Sequence, residues 1–256
     1  MHNNIGEYEL KYVSVLNDIS SDTFQRRDVL DALLRTHPDY NVSSFSRHFS
    51  KLLSYGAMEN VGEDLYIKVS HGTAKELYTY KTPGSELIDV KSFLCSEFPL
   101  ADFLVWETIQ LNEFINHQIA QNTIIVMIEH MLMDAAFERL KGKFPTTLFS
   151  PTPMDYMRYG RNGTIAVQRL SYRYPKNPKQ KHGYSIEKLI VDLFAEKIIN
   201  SFVNADDYPA ALETAFMRYR INETRLFNYA RTRRVDAEIQ TMIREQTAIR
   251  LYTDKG

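Results

Sequence analysis

Arg47, Lys51 and Ser54 recur at steps of four and three, with Ser44 and Ser50 beside them. On a helix this spacing gathers them on one side, opposite Phe45, Phe49, Leu52 and Leu53. Guanidinium and ammonium groups bring charge and donors to phosphate, and small hydroxyls permit close approach to a nucleic-acid backbone or a base edge. Lys68, on the second strand of an expected hairpin, is placed to add a phosphate contact. The same six residues on a slightly acidic domain also suit a module that docks protein alone. Up to Ser70 there are seven Lys and Arg against ten Asp and Glu, which weakens tight non-specific DNA binding.

Other side chains raise catalytic readings. Asp102, Glu107 and Glu129 fall in or at the ends of β-rich runs, and would hold Mg²⁺ if they converged. A nuclease of the restriction type places a Lys soon after such an acid, but Glu129 is followed by His130 and Met131. Glu113 near His117 offers an acid/base pair, although a histidine in that setting is more often structural. There is no phosphate-cradling Gly loop and no G-x-S-x-G elbow. The Cys and His spacing does not suit zinc. No catalytic residue, metal site or cofactor is therefore expected. A metal-dependent nuclease, or its inactive descendant, stays as the alternative.

Positioning the basic stripe requires three helices and a hairpin. Leu10, Val13, Ser14 and Leu16 give Glu7–Asn17 near-helical spacing. Ser21, Asp22 and Thr23 read as a loop and cap. Phe24–Arg35 carries Val29, Leu30, Leu33 and Leu34 inward and ends at His37-Pro38, because Pro disfavours helical conformation in the residue before it. The third helix runs from Val42-Ser43-Ser44 to about Tyr55, with Gly56 as its left-handed terminus. Ala57–Val61 and Leu65–Val69 then form strands around Gly62-Glu63-Asp64. This is the pattern of a winged helix-turn-helix, whose third helix enters the major groove.

Residues 71–85, with His71-Gly72 and Pro83-Gly84, read as a connector. From there to residue 256 helix and strand alternate. Helices are expected over Glu86–Ser96, Leu111–Ile119 and Leu132–Leu140. Strands are expected over Asp102–Thr108, Thr123–Glu129, Thr146–Phe149 and Thr164–Leu170. The succession predicts a mixed α/β fold with a central, partly parallel sheet and a helical C-terminus. Thr123–Glu129 is apolar on both faces, as a central strand should be. Gln168–His182 contains Arg169, Arg173, Lys176, Lys179 and Lys181 with Tyr172 and Tyr174 interleaved and no acid. That mixture can follow a nucleic-acid backbone, but it equally fits a solvated loop. Tyr184–Asn200 is an amphipathic helix capped by Ser185. Ile186, Leu189, Ile190, Leu193, Phe194 and Ile198 form its core face. Glu187, Lys188, Asp192 and Glu196 form an outer face suited to a protein partner, where charge reversal should leave folding intact. Helices over Tyr208–Tyr219, Glu223–Arg231 and Asp236–Leu251 close the chain.

Composition sets the bounds. The 256 residues are 44% hydrophobic and 25% charged with net charge −1, ordinary for a soluble globular protein and without a global field that favours nucleic acid or membrane. The single cysteine, Cys95, permits no internal disulfide, which suits a reducing cytoplasm; its apolar context suggests burial. No leader-like start and no spanning apolar run is present, so no membrane partner is expected.

Four blocks carry a more specific resemblance: Val105–Gln118 (VWETIQLNEFINHQ), the strand end Ile128-Glu129, Ser185–Phe194 (SIEKLIVDLF) and Tyr219–Arg234 (YRINETRLFNYARTRR). With the winged-helix pattern ahead of them, their order resembles AbiEi-like proteins, the antitoxins of bacterial type IV toxin–antitoxin systems. The resemblance covers nearly the whole chain. It implies a cytoplasmic phage-defence protein whose winged helix represses its own operon by binding operator DNA. Its C-terminal domain would counteract a co-encoded nucleotidyltransferase-like toxin, with or without stable contact. A homodimer would suit such operator binding.

Overall fold

A computed structural model describes residues 12–69 and 75–253. The first part of the expected opening helix, the end of the winged pattern at Ser70 and the first residues of the connector lie outside them. The chain divides into two compact units, and residues 220–225 and 250–253 belong to the first.

In the first unit, helical residues 12–15 run into a short 3-10 turn, Leu16–Asp18. Strand β1 (Thr23–Phe24) precedes helix α1 (Arg26–Thr36), and helix α2 (Phe45–Ser54) follows. Strands β2 (Met58–Gly62) and β3 (Leu65–Lys68) form a hairpin, and the sheet order is β1-β3-β2, all antiparallel. Thr23-Phe24 is thus a strand rather than a cap and helix start. Phe24 is buried opposite Tyr66, and pairing with β3 outweighs local helix propensity. Gln25 and Asp28 instead cap α1 reciprocally. Gly56 ends α2 with a positive φ of 72°. The core joins Val15, Phe24, Val29, Leu33, Phe49 and Met58. The Arg26 guanidinium lies 5.2 Å and 4.9 Å from the Phe45 and Phe49 ring centres and donates to Ser46 Oγ at 2.7 Å. It thereby joins α1 to α2 by cation–π attraction.

The returning segment fastens to the hairpin. Arg220 Nε lies 3.1 Å from the buried Glu59 carboxylate. Asn222 donates to Asn60, and Thr224 Oγ1 accepts from Glu63 N at 3.0 Å.

The second unit is α/β. Its sheet runs β4 (Phe103–Glu107), β5 (Thr123–Ile128), β7 (Thr164–Arg169), β6 (Thr147–Phe149). β4 is antiparallel to β5, whereas β5–β7 and β6–β7 are parallel. Side chains alternate across a strand. Ile124, Val126 and Ile128 therefore join helices α3 (Ser85–Glu97) and α4 (Met133–Lys143) on one face through Leu87, Val90, Leu94, Ala136 and Leu140. On the other face Trp106 and Met127 meet Tyr184, which leads into helix α6 (Ile186–Ala195). Helices α7 (Tyr208–Arg218), α8 (Glu223–Arg233) and α9 (Asp236–Gln246) follow. No described helix is long and apolar enough to cross a membrane.

Two expected helices end early: that over Tyr184–Asn200 stops at Ala195, and that over Asp236–Leu251 at Gln246. Three further local expectations differ. Leu111–Ile119 is not a helix: a 3-10 turn, Thr108–Glu113, replaces its start, and Asn112 binds the backbone of Ile119 in both directions. Such side-chain bonds compete with helical ones. Pro153–Tyr159 forms an unexpected helix, α5, with Pro at its start and a reciprocal Thr152–Asp155 cap. Cys95 is exposed, because Leu87, Val90 and Leu94 take the inward positions of α3 and Cys95 falls a further 100° round.

His48 in α2 is buried, stacks on Tyr12 at 4.4 Å and meets the Tyr40 hydroxyl at 2.9 Å. Burial, and then the Arg47 and Lys51 charges, hold it below its ordinary value of 6.5. The unfolded chain then takes up the proton first. Stability from neutral His48 is complete above the unfolded value and is lost as pH falls through the lowered one. Thermal melts between about pH 7.5 and pH 5 should show the first unit weakening, and His48→Gln should lose that component. Equal pH slopes for the two proteins would exclude this role.

Candidate functional site

α2 presents Arg47, Ser50, Lys51 and Ser54 outward, while Phe45, His48, Phe49 and Leu52 are buried. Ser44 is half-buried at the end of the 3-10 turn Val42–Ser44. The predicted stripe therefore lies on one exposed face. Two of its hydroxyls donate within the helix: Ser50 Oγ to Ser46 O at 2.9 Å and Ser54 Oγ to Lys51 O at 2.8 Å. What they can offer a ligand is the oxygen lone pair. Lys68 departs from expectation. It pairs with Met58 at the base of the hairpin, and its ammonium donates to the Ile19 carbonyl. The hairpin tip is Glu63 and Asp64, both exposed, and these acids repel phosphate. Arg26, not predicted, adds a cation at the first turn of α2 through Ser46.

The predicted partner face of α6 is a correction. Glu187, Lys188 and Asp192 are buried, and the Glu196 side chain is 16% exposed. For Lys188, Asp192 and Glu196 the reason is α8, whose Tyr229 and Arg233 contact them. Lys188 Nζ lies 2.6 Å from Asp192 Oδ2 and 2.9 Å from the Tyr229 hydroxyl. Arg233 reaches Asp192 Oδ1 at 2.8 Å and Glu196 Oε1 at 2.7 Å. The Tyr184 and Tyr229 ring centres lie 4.8 Å and 5.0 Å from Lys188 Nζ. Burial presses the Lys188 ammonium downward, but Asp192 and its hydrogen bonds outweigh this and hold it above its ordinary value. Burial, and then Asp192, push the Glu196 carboxyl up. Two cations and two carboxylates give a neutral, internally satisfied cluster in place of a docking surface.

The acids of the nuclease reading do not converge. Asp102 and Glu129 are neighbours, with Asp102 N donating to Glu129 Oε1 at 2.8 Å. Glu107 lies at the other end of β4, fully buried, and accepts from Tyr80 OH at 2.7 Å, Gly84 N at 2.8 Å and Asn122 Nδ2 at 2.6 Å. It anchors the segment entering α3. Glu113 pairs with Arg218 at 3.1 Å, and His117 with Asp207 at 3.0 Å, so they form no acid/base couple. Among the described residues no three His, Cys, Asp or Glu are grouped to hold a metal ion.

Within the basic, aromatic stretch, Tyr174 OH and Lys176 Nζ are held by Asp102 at 2.7 Å and 3.3 Å. His182 stacks on Phe103 at 3.8 Å. Arg169, Tyr172, Arg173, Lys179 and Lys181 remain exposed. Tyr229 and Arg233 were missed as structural anchors. Their one-turn spacing, matching that of Lys188 and Asp192, was the available signal.

This fold and these surfaces define an α/β protein with an added helix-and-hairpin unit. Residues 44–249 match DUF6577, a family of unknown function, and the chain belongs to that family. Among solved structures it is similar to the RV2827C protein from Mycobacterium tuberculosis, at 10% identity and a TM-score of 0.26 over 94% of this chain and 82% of that one. No curated protein matches.

The buried cluster sets a stability test. Removing one member of a buried ion pair costs about 3–5 kcal/mol, because the remaining charges lose their partner. Asp192→Asn should lower the unfolding free energy by about that amount in urea. Charge reversal at Asp192 and Glu196, expected from sequence to be harmless, should prevent folding. A loss below about 1 kcal/mol for Asp192→Asn would show that the cluster is not an anchor.

Proposed function

We propose that the protein is a cytoplasmic bacterial DNA-binding regulator that represses its own operon and serves as the antitoxin to a co-encoded nucleotidyltransferase-like toxin. In this reading the first unit acts as a winged helix-turn-helix, and the protein works by binding, without catalysis or cofactor. The observation that supports it is the exposed α2 face, with Arg47 and Lys51 one turn apart over a helix whose opposite side is core. A helix held this way can be presented to a major groove as a rigid body. The antitoxin half rests on the resemblance of Val105–Gln118, Ser185–Phe194 and Tyr219–Arg234 to AbiEi-like proteins.

The test is a gel shift with DNA from upstream of the protein's own gene. Arg47→Ala with Lys51→Ala should weaken binding by roughly tenfold or more and reduce the salt dependence by about one to two charges. Unchanged affinity in a folded double variant would overturn the operator reading. The acidic hairpin tip, Glu63 and Asp64, favours a second reading, a docking adaptor that binds protein alone. Co-purification of a neighbour-encoded nucleotidyltransferase without any DNA shift would select it.

A further inference from the structure

The parallel strands of the second unit end beside an open groove that the operator reading does not use. Ser150 follows β6, and Gln168 and Arg169 end β7, so the groove lies at the carboxyl edge of the parallel pair. Open α/β sheets commonly bind ligands at that edge. Ser150 N donates to Val167 O at 2.8 Å and Leu170 N to Ile128 O at 2.8 Å, which fixes the strand ends rigidly. Tyr172 and Arg173 continue the lining from the chain after β7, and Thr232 closes it from α8.

The chemistry of this lining is specific. Arg169 and Arg173 are exposed cations, and no acid occurs between Gln168 and His182. Tyr172 is 79% exposed, with the Arg173 guanidinium 5.4 Å from its ring centre. An aromatic side chain left in solvent beside an arginine is a stacking platform next to a phosphate ligand. The one carboxylate in the groove, Glu196, is neutralised by Arg233 at 2.7 Å.

We propose that this groove binds a nucleotide, either free or as a unit of a single strand. Arg169 and Arg173 hold the phosphate, and the Tyr172 ring stacks on the base. The proposal is independent of α2 and of operator binding.

Calorimetry at low salt, with the full chain, tests it against adenosine monophosphate, adenosine, inorganic phosphate and a decathymidylate strand. Adenosine monophosphate or the strand should bind, and adenosine should bind at least roughly tenfold more weakly. Arg169→Ala with Arg173→Ala should cut nucleotide affinity at least roughly tenfold, with the thermal melt unchanged. Tyr172→Ala should cut nucleotide affinity roughly tenfold and leave inorganic phosphate alone, and Tyr172→Phe should retain it. Arg47→Ala with Lys51→Ala should leave adenosine monophosphate binding intact, so failure here and failure at the operator are separable. Binding by the strand alone would assign a polynucleotide, and by the monophosphate alone a free nucleotide. No binding by either, full affinity in the double arginine variant, or adenosine equal to its monophosphate would overturn the proposal.

Discussion

The second unit depends on a charge placed where charge is costly. Lys188 is fully buried in α6, and its ammonium survives there because Asp192, one turn on, faces it at 2.6 Å. Tyr229 and Arg233, one turn apart on α8, complete the cluster. A desolvated ammonium without these partners would have to neutralise or stay in water. The position of α8 against α6 is therefore specified by ionic geometry as well as by apolar contact. Hydrophobic packing tolerates small slides of one helix on another. A carboxylate that must accept from an ammonium, a phenol and a guanidinium together does not.

A similar economy holds in the first unit. Glu59 is buried in the hairpin and is met by Arg220 and by the Lys75 backbone N–H. Residues far along the chain thus satisfy a charge near its start. Glu107 follows the same rule in the sheet, with three donors around one buried carboxylate. Acids that read in sequence as metal ligands or partner contacts are mostly fasteners. The functions proposed above rest instead on exposed cations, the α2 stripe and the arginines at the carboxyl edge of the sheet.

Periodicity made much of the fold legible. Thr123–Ile128, apolar from Ile124 onward and buried at every position, is a central strand, and the inward residues of α1 and α2 follow the helical repeat that the sequence displays. Thr23-Phe24 was not legible, because two residues carry no period and become a strand only by pairing with β3. The helix expected over Leu111–Ile119 fails for a reason invisible to hydropathy, a bond from Asn112 to the backbone seven residues on. Arg47 and Lys51 are exposed as the spacing implies, whereas Lys68 turns to the Ile19 carbonyl, which the pairing of β1 with β3 brings near.

The sequence by itself determined the α/β alternation, the strand cores and the exposed basic face of α2, because each follows from side chains a few residues apart on one element. Only the tertiary structure decided what becomes of the polar face of α6. Amphipathic spacing shows that a helix has two sides, but solvent on the second side is an assumption. Here α8 brings a phenol and a guanidinium to within 3 Å of the acids of α6. The energy of those contacts depends on distances across the fold, which no local pattern in the chain encodes.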